Sequence, residues 1–190
     1  MKTLCIVTCG RRKIWDRNPN AGATKARHAY IGPFAKKCRV YAELFYPSSW
    51  YILSAKHGFL FPDDTVRGPY DVSFNDIKTN PISLGELSAQ AREKGLHQYD
   101  PVVVLGGRKY VEIMGQVFPS KEIVAPLTGC KGIGYMMHAL KGAISRGVPL
   151  LHPVKKRQEG EMGEVKEFPE LVEKARAAKE ASRTTAVLST

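Results

Sequence analysis

A chain of 190 residues, 43% of them hydrophobic, can bury one full core and not two, so one α/β domain is expected over 1–150 with a charged tail over 151–190. No apolar run approaches the roughly 20 residues that cross a bilayer, and Met1-Lys2-Thr3 leads straight into a strand-like run, which argues against a membrane partner and predicts a cytoplasmic protein. The net charge of +11 is concentrated early, with nine Lys and Arg against the single acid Asp16 between Arg11 and Arg39, a balance that attracts nucleic acid or a nucleotide.

In chain order, TLCIVTC over 3–9 is a β-branched apolar run ended by Gly10 and reads as a first buried strand. Arg11 to Thr24 is a polar loop of a length usually kept for function, in which Trp15 is either an anchor to the core, the favoured reading, or a stacking platform for a base. From Lys25 to about Phe45 the apolar spacing is helical, with Phe34, Cys38 and Tyr41 on one stripe and Pro33 suited to a first helical turn. Tyr51-Ile52-Leu53 is a second strand that opens into the turn Ser54-Ala55-Lys56-His57-Gly58.

Ser83 and Glu86 form a capping-box pattern for a helix that ends at Gly95. Pro101 to Leu105 is a third strand, 108–117 a helix, Glu122 to Leu127 a fourth strand, and Ile133 to Arg146 a helix stopped by Gly147. A last helix is expected near Pro169, with the end of the tail disordered. This alternation predicts a three-layer α/β/α fold with a four-stranded, mainly parallel sheet and a C-terminal helical tail.

Ligands of such sheets bind outside the carboxyl ends of the strands, which here are Cys9-Gly10, Ser54-Ala55-Lys56, Gly106-Gly107 and Thr128-Gly129. These ends read as one binding floor. Gly106-Gly107 and the stretch from Gly129 through Lys131 each lead into a helix, where unpaired N–H groups suit a phosphate, although tight packing selects glycine too. Neither stretch is a dinucleotide or Walker pattern, and the four cysteines form no zinc-type cluster, so no cofactor and no metal is expected.

The stretch from Trp50 to Asp71 holds the chemistry. Asp71, aimed by the rigid Gly68-Pro69-Tyr70 turn, is the first choice as base or cation stabiliser, with Lys56 as its partner and Ser54 beside them. Tyr30 and Phe34 are candidates to stack on a base, and His57, Asp63 and Tyr70 to line the substrate site; His57 reads equally as a packed histidine, and one of Asp63 and Asp64 as a helix cap. Cys9 stands beside Arg11, Arg12 and Lys13, which would lower its pKa, so a thiol nucleophile is open. Arg11, Arg12, Lys13, Arg17, Arg27 and Lys131 are the candidate nucleic-acid contacts.

The segments CGRRK, AYIGPF, ILSAKHGFLFPDD, GPYDVSF and PLTGCKGIGYM resemble a family of bacterial and phage domains related to the YaaA peroxide-stress proteins, over roughly residues 4 to 146. The resemblance implies a DNA-associated cytoplasmic protein, DNA before RNA. YaaA proteins are longer and carry Arg where Asp71 stands, so their DNA-binding features do not transfer. The strand order is also similar to the core of the uracil-DNA glycosylase fold, an analogy of fold only. Together these readings predict an enzyme acting on a nucleobase or nucleoside, of glycosylase or base-exchange type. A non-catalytic DNA-binding or stress-protection module and an enzyme on a free nucleotide are the alternatives.

Overall fold

The computed structural model describes residues 2–151; the expected tail helix lies outside the described residues. The first strand, β1 (Leu4–Thr8), runs through the middle of the sheet and is buried along its length. Its side chains alternate between two cores: Cys5 and Val7 belong to one cluster, Leu4 and Ile6 to the other. A continuous β-branched run is what a strand covered on both faces requires.

β3 (Trp50–Ser54) and β6 (Val102–Leu105) flank β1 in parallel, and β7 (Ile123–Val124) extends the sheet beyond β6. These are the four parallel strands expected from sequence. A fifth strand, β4 (Gly58–Leu60), pairs antiparallel with β3, so the order is β4-β3-β1-β6-β7. The expectation of a four-stranded sheet is thereby corrected to five strands. Gly58 takes φ +71, and a Cβ there would collide with the Gln90 side chain, whose amide oxygen accepts the Phe59 N–H at 2.9 Å. Gly58 thus permits a tight reversal, and Phe59 and Leu60 then bury against the core.

The chain leaves β1 for β3 on one side and later crosses to β6 on the other, which makes the carboxyl end of β1 the topological switch point. α3 (Pro33–Phe45) and α6 (Ile133–Arg146) pack together on one face of the sheet; α4 (Leu84–Glu93) and α5 (Arg108–Val117) cover the other. Pro33 occupies the first turn of α3, and Ser83 and Glu86 close the capping box of α4 with bonds of 3.2 and 2.9 Å. β7 stops at Val124, short of the predicted Leu127, because Ala125 to Thr128 closes a turn.

Between β1 and α3 the basic loop is ordered by short elements: α1 (Ile14–Arg17), β2 (Thr24–Lys25) and α2 (Ala26–Ala29). β2 pairs with β5 (Thr65–Val66), which ties this loop to the segment that follows β4. Trp15 is buried, and its indole N–H donates to the Gly22 carbonyl at 3.0 Å, the anchoring role favoured from sequence. No helix among the described residues is long and apolar enough to cross a membrane.

Candidate functional site

Ser54, the last residue of β3, is fully buried at the carboxyl edge of the sheet. Its oxygen accepts the backbone N–H groups of Lys56 at 3.2 Å and His57 at 3.1 Å, which shapes the turn into β4. The Tyr70 hydroxyl stands 2.9 Å from the same oxygen, and the Tyr30 hydroxyl 2.6 Å from Tyr70. A serine oxygen has two lone pairs, and both are used by N–H donors, so the Ser54 proton goes to Tyr70. Three hydroxyls then share two hydrogen bonds, and one phenolic proton, on Tyr30 or Tyr70, has no acceptor within the trio.

Tyr70 is the hub of this arrangement. The Lys13 ammonium lies 4.4 Å from its ring centroid and that of Lys56 5.4 Å, while the His57 ring meets it edge-on at 5.1 Å. Lys13 reaches this place because its backbone bridges Tyr30 and its N–H is held by the Asp16 carboxylate at 2.8 Å. It is only 6% exposed, so the expectation of a surface nucleic-acid contact is corrected: its charge is spent inside the site.

Cys9, just past β1, lies near this centre, with Ala55 and Tyr110 among its neighbours. It keeps some accessible surface, yet its surroundings are almost wholly protein. Burial pushes the thiol up, outweighing the lowering by the Ala55 N–H and by Lys13, which overturns the expectation of a cation-activated thiol. Arg11 and Arg12 point to solvent instead. Burial, with a smaller contribution from Cys9, pushes Tyr70 up to about 12; Tyr30 and Tyr110 are raised mainly by burial as well. All three phenols are therefore neutral hydrogen-bonding groups near pH 7.

Beside Tyr70 opens a cleft of about 450 Å³, lined by Lys56, His57, Thr65, Arg67, Gly68 and Pro69. Burial and then the Lys56 charge hold the His57 pKa below the usual histidine value, so its ring is predominantly neutral at pH 7. The lining carries two basic side chains, Lys56 and Arg67, and no carboxylate.

The other predicted residues fall into place around this centre. Asp71 follows the hub but is exposed and makes no hydrogen bond or ion pair among the described residues, so the anticipated Asp71–Lys56 pair is not formed. Asp63 is engaged by Lys25 at 3.1 Å and Arg27 at 3.0 Å, and Arg27 also meets Glu43 at 3.6 Å. These ion pairs clamp the basic loop to the turn before β5. Asp64 accepts the Phe61 N–H at 2.8 Å, closing that turn instead of capping a helix.

Gly106 is a packing glycine: a Cβ there would collide with Thr8 and lie 3.2 Å from the Tyr110 Cβ. Gly10 is similar, with its Cβ position 3.1 Å from Ala35. Gly107 begins α5 with open space around it. Thr128 donates to the Ala125 carbonyl at 2.9 Å, a turn bond, while Gly129 and Lys131 are exposed beyond it. Phe34 is partly buried and packs on the same core cluster as Tyr70. Arg11, Arg12 and Arg17 are exposed, without a carboxylate partner among the described residues.

Sequence reading missed Arg67, Thr65 and Tyr110. Arg67 directly precedes the Gly68-Pro69-Tyr70 turn, and Tyr110 sits in the first turn of the helix that starts at a strand-end Gly-Gly, and both signals are present in the sequence.

An α/β sheet with a polar, donor-rich centre at its switch point defines the class. The chain belongs to a family of unknown function (DUF6884), whose model matches residues 4–142, a span that holds the whole centre. It is similar to the Uncharacterized protein YfjM of Bacillus subtilis (strain 168), with 46% identity over 145 residues, 76% of this chain and 96% of that protein. Neither match connects the chain to YaaA proteins or to uracil-DNA glycosylase. No solved structure matches.

Proposed function

We propose that the protein binds a phosphate-bearing nucleotide unit of nucleic acid, DNA in the first instance, and acts on its base or glycosidic bond. The observation that carries this reading is the Tyr70 hub, where hydroxyls and cations converge with no carboxylate among them, next to a cleft of ligand size that shares Lys56 and His57 with it. Lys56 and Arg67 would hold phosphate, His57 and Tyr70 would meet the base, and Arg11, Arg12 and Arg17 would track the adjoining backbone. Asp71, exposed next to Tyr70 in the chain, would stabilise positive charge at the sugar as the bond to the base breaks, with water adding to the sugar carbon and its proton passing to the departing base. The exposed arginines also favour a second reading, a non-catalytic nucleic-acid-binding module that uses the same surface.

The test is binding of labelled single-stranded DNA, duplex DNA and RNA across a salt series, with released base followed by mass spectrometry. The proposal expects affinity that falls steeply with salt and base release that Tyr70→Phe abolishes. Tight salt-dependent binding with no base release selects the non-catalytic module. Binding of mononucleotides alone, insensitive to salt, selects the free-nucleotide enzyme, and no binding at low salt removes all three readings.

A further inference from the structure

Lys13 is the only charged residue in the buried set of the described residues. Removing an ammonium from water is costly unless an anion compensates it, yet no carboxylate among the described residues lies within ion-pair distance of its Nζ. The nearby Asp16 carboxylate is committed to the Lys13 backbone N–H and does not pair with the ammonium. One of the three ammonium donors goes to the Arg11 carbonyl at 3.1 Å, and the face of Tyr70 offers partial compensation. Two donors remain. The unplaced phenolic proton of the Tyr30–Tyr70 pair is a third.

These groups share one demand, a negatively charged oxygen. The Lys56 ammonium stands 5.4 Å from the centroid of the same Tyr70 ring, and Lys56 lines the cleft together with Arg67, so an anion approaching Lys13 from that cleft would pass cations along its way. Neutral, buried phenols cannot supply the charge themselves, because burial holds them protonated.

We infer that Lys13 is the inner anion-contacting residue of the site, and that its occupant is a phosphate-type oxyanion which compensates the buried ammonium against Tyr70. This rests on the reading of the Tyr70 centre as a ligand site, and it names the chemistry that site takes. A phosphate of nucleic acid and a free phosphate present the same oxygens, and the test separates them.

The experiment is thermal unfolding of the full chain with inorganic phosphate, pyrophosphate, or an uncharged nucleoside, each at ionic strength fixed with chloride. Phosphate and pyrophosphate are expected to raise the midpoint above the chloride control, and the nucleoside alone is not. Lys13→Met removes the buried charge and keeps the length of the side chain, so the free protein should hold or raise its midpoint while phosphate affinity falls at least tenfold. Should Lys13→Met fail to fold, Tyr70→Phe serves: it retains the ring, removes one hydroxyl and should weaken phosphate severalfold. Phosphate affinity unchanged in both variants, or no phosphate effect on the wild type, overturns the inference. Phosphate binding through Lys13 without any nucleic-acid binding leaves it standing and defeats the proposed function. Nucleic-acid binding with no phosphate effect does the reverse.

Discussion

Tyr30 and Tyr70, forty residues apart in the chain, bring their hydroxyls to 2.6 Å, and Ser54 holds the second of them at 2.9 Å. The contact joins the basic loop before α3 to the segment after β5 at the carboxyl end of β3. It depends on one serine oxygen that also receives two backbone donors.

That dependence predicts unequal costs for two conservative deletions. Ser54→Ala strips the acceptor from the Lys56 and His57 N–H groups and removes the hydroxyl that donates to Tyr70, and should cost about 1–3 kcal/mol. Tyr70→Phe keeps the ring contacts and removes one hydroxyl, so about 0.5–1.5 kcal/mol is expected. Urea unfolding of both variants checks the order. A larger loss in Tyr70→Phe would mean that the tyrosine, and not the serine, organises the turn.

The tyrosine pKa shifts predict a stability profile at high pH. Tyr70 titrates near 12 when folded and near the ordinary 10 when unfolded, so between these values the native state holds more protons than the unfolded state. Stability is therefore level below pH 10 from this group and falls as pH rises through 10 to 12. Tyr30 and Tyr110 shift in the same direction and steepen the fall. His57 works at the other end, because its folded pKa is lowered and the unfolded state binds the extra proton as pH drops below about 6.5. Chemical denaturation across pH should show Tyr70→Phe flattening the alkaline limb and His57→Gln the acidic one.

Adjacent glycines should behave differently. Gly106→Ala drives a methyl group into Thr8 and towards Tyr110, an overpacking of the β1–α5 contact that should cost about 1–3 kcal/mol. Gly107→Ala meets nothing within 4 Å and has an ordinary φ of −77, so it should lie within about 0.5 kcal/mol of the wild type. Melting curves of the two variants settle whether Gly106 is there for packing. If both are neutral, the fit of Thr8 to the start of α5 is looser than its geometry.

Much of the sheet was legible because its strands are continuous β-branched runs, and the limits of α3 and α4 because Pro33 and the Ser83–Glu86 box have local physical meaning. β4 was not, since three apolar residues after a glycine turn carry no period of their own and are fixed by Gln90 from α4. The two-residue pairing of β2 with β5 is equally silent. At the site, Tyr70 could be read only as a residue lining the substrate site, in the turn that leads to Asp71. The burial of Lys13 could not, because a lysine between arginines predicts a wet surface, and only the pairing with Tyr30 brings it inward. Asp71 drew attention through its turn, yet the turn aims Tyr70 into the centre and leaves Asp71 outside.

Asp71 and Lys56 still distinguish an enzyme from a binding module. If Asp71 meets charge that develops only in the transition state, Asp71→Asn should leave nucleic-acid affinity within about tenfold and lower the rate on the order of 10² or more. Lys56→Met should weaken both, since Lys56 lines the cleft and its ammonium stands 5.4 Å from the Tyr70 ring centroid. A binding module reverses the first effect: removing an exposed carboxylate beside a cationic cleft relieves repulsion from phosphates, so Asp71→Asn binds more tightly while Lys56→Met binds less. Affinities of both variants for single-stranded and duplex DNA at two salt concentrations, with base release in the same samples, separate the cases. Asp71→Asn should not unfold the chain, because no bond of its side chain supports the fold among the described residues. An unfolded variant would show that the turn before α4 needs this carboxylate and would remove Asp71 from the chemistry.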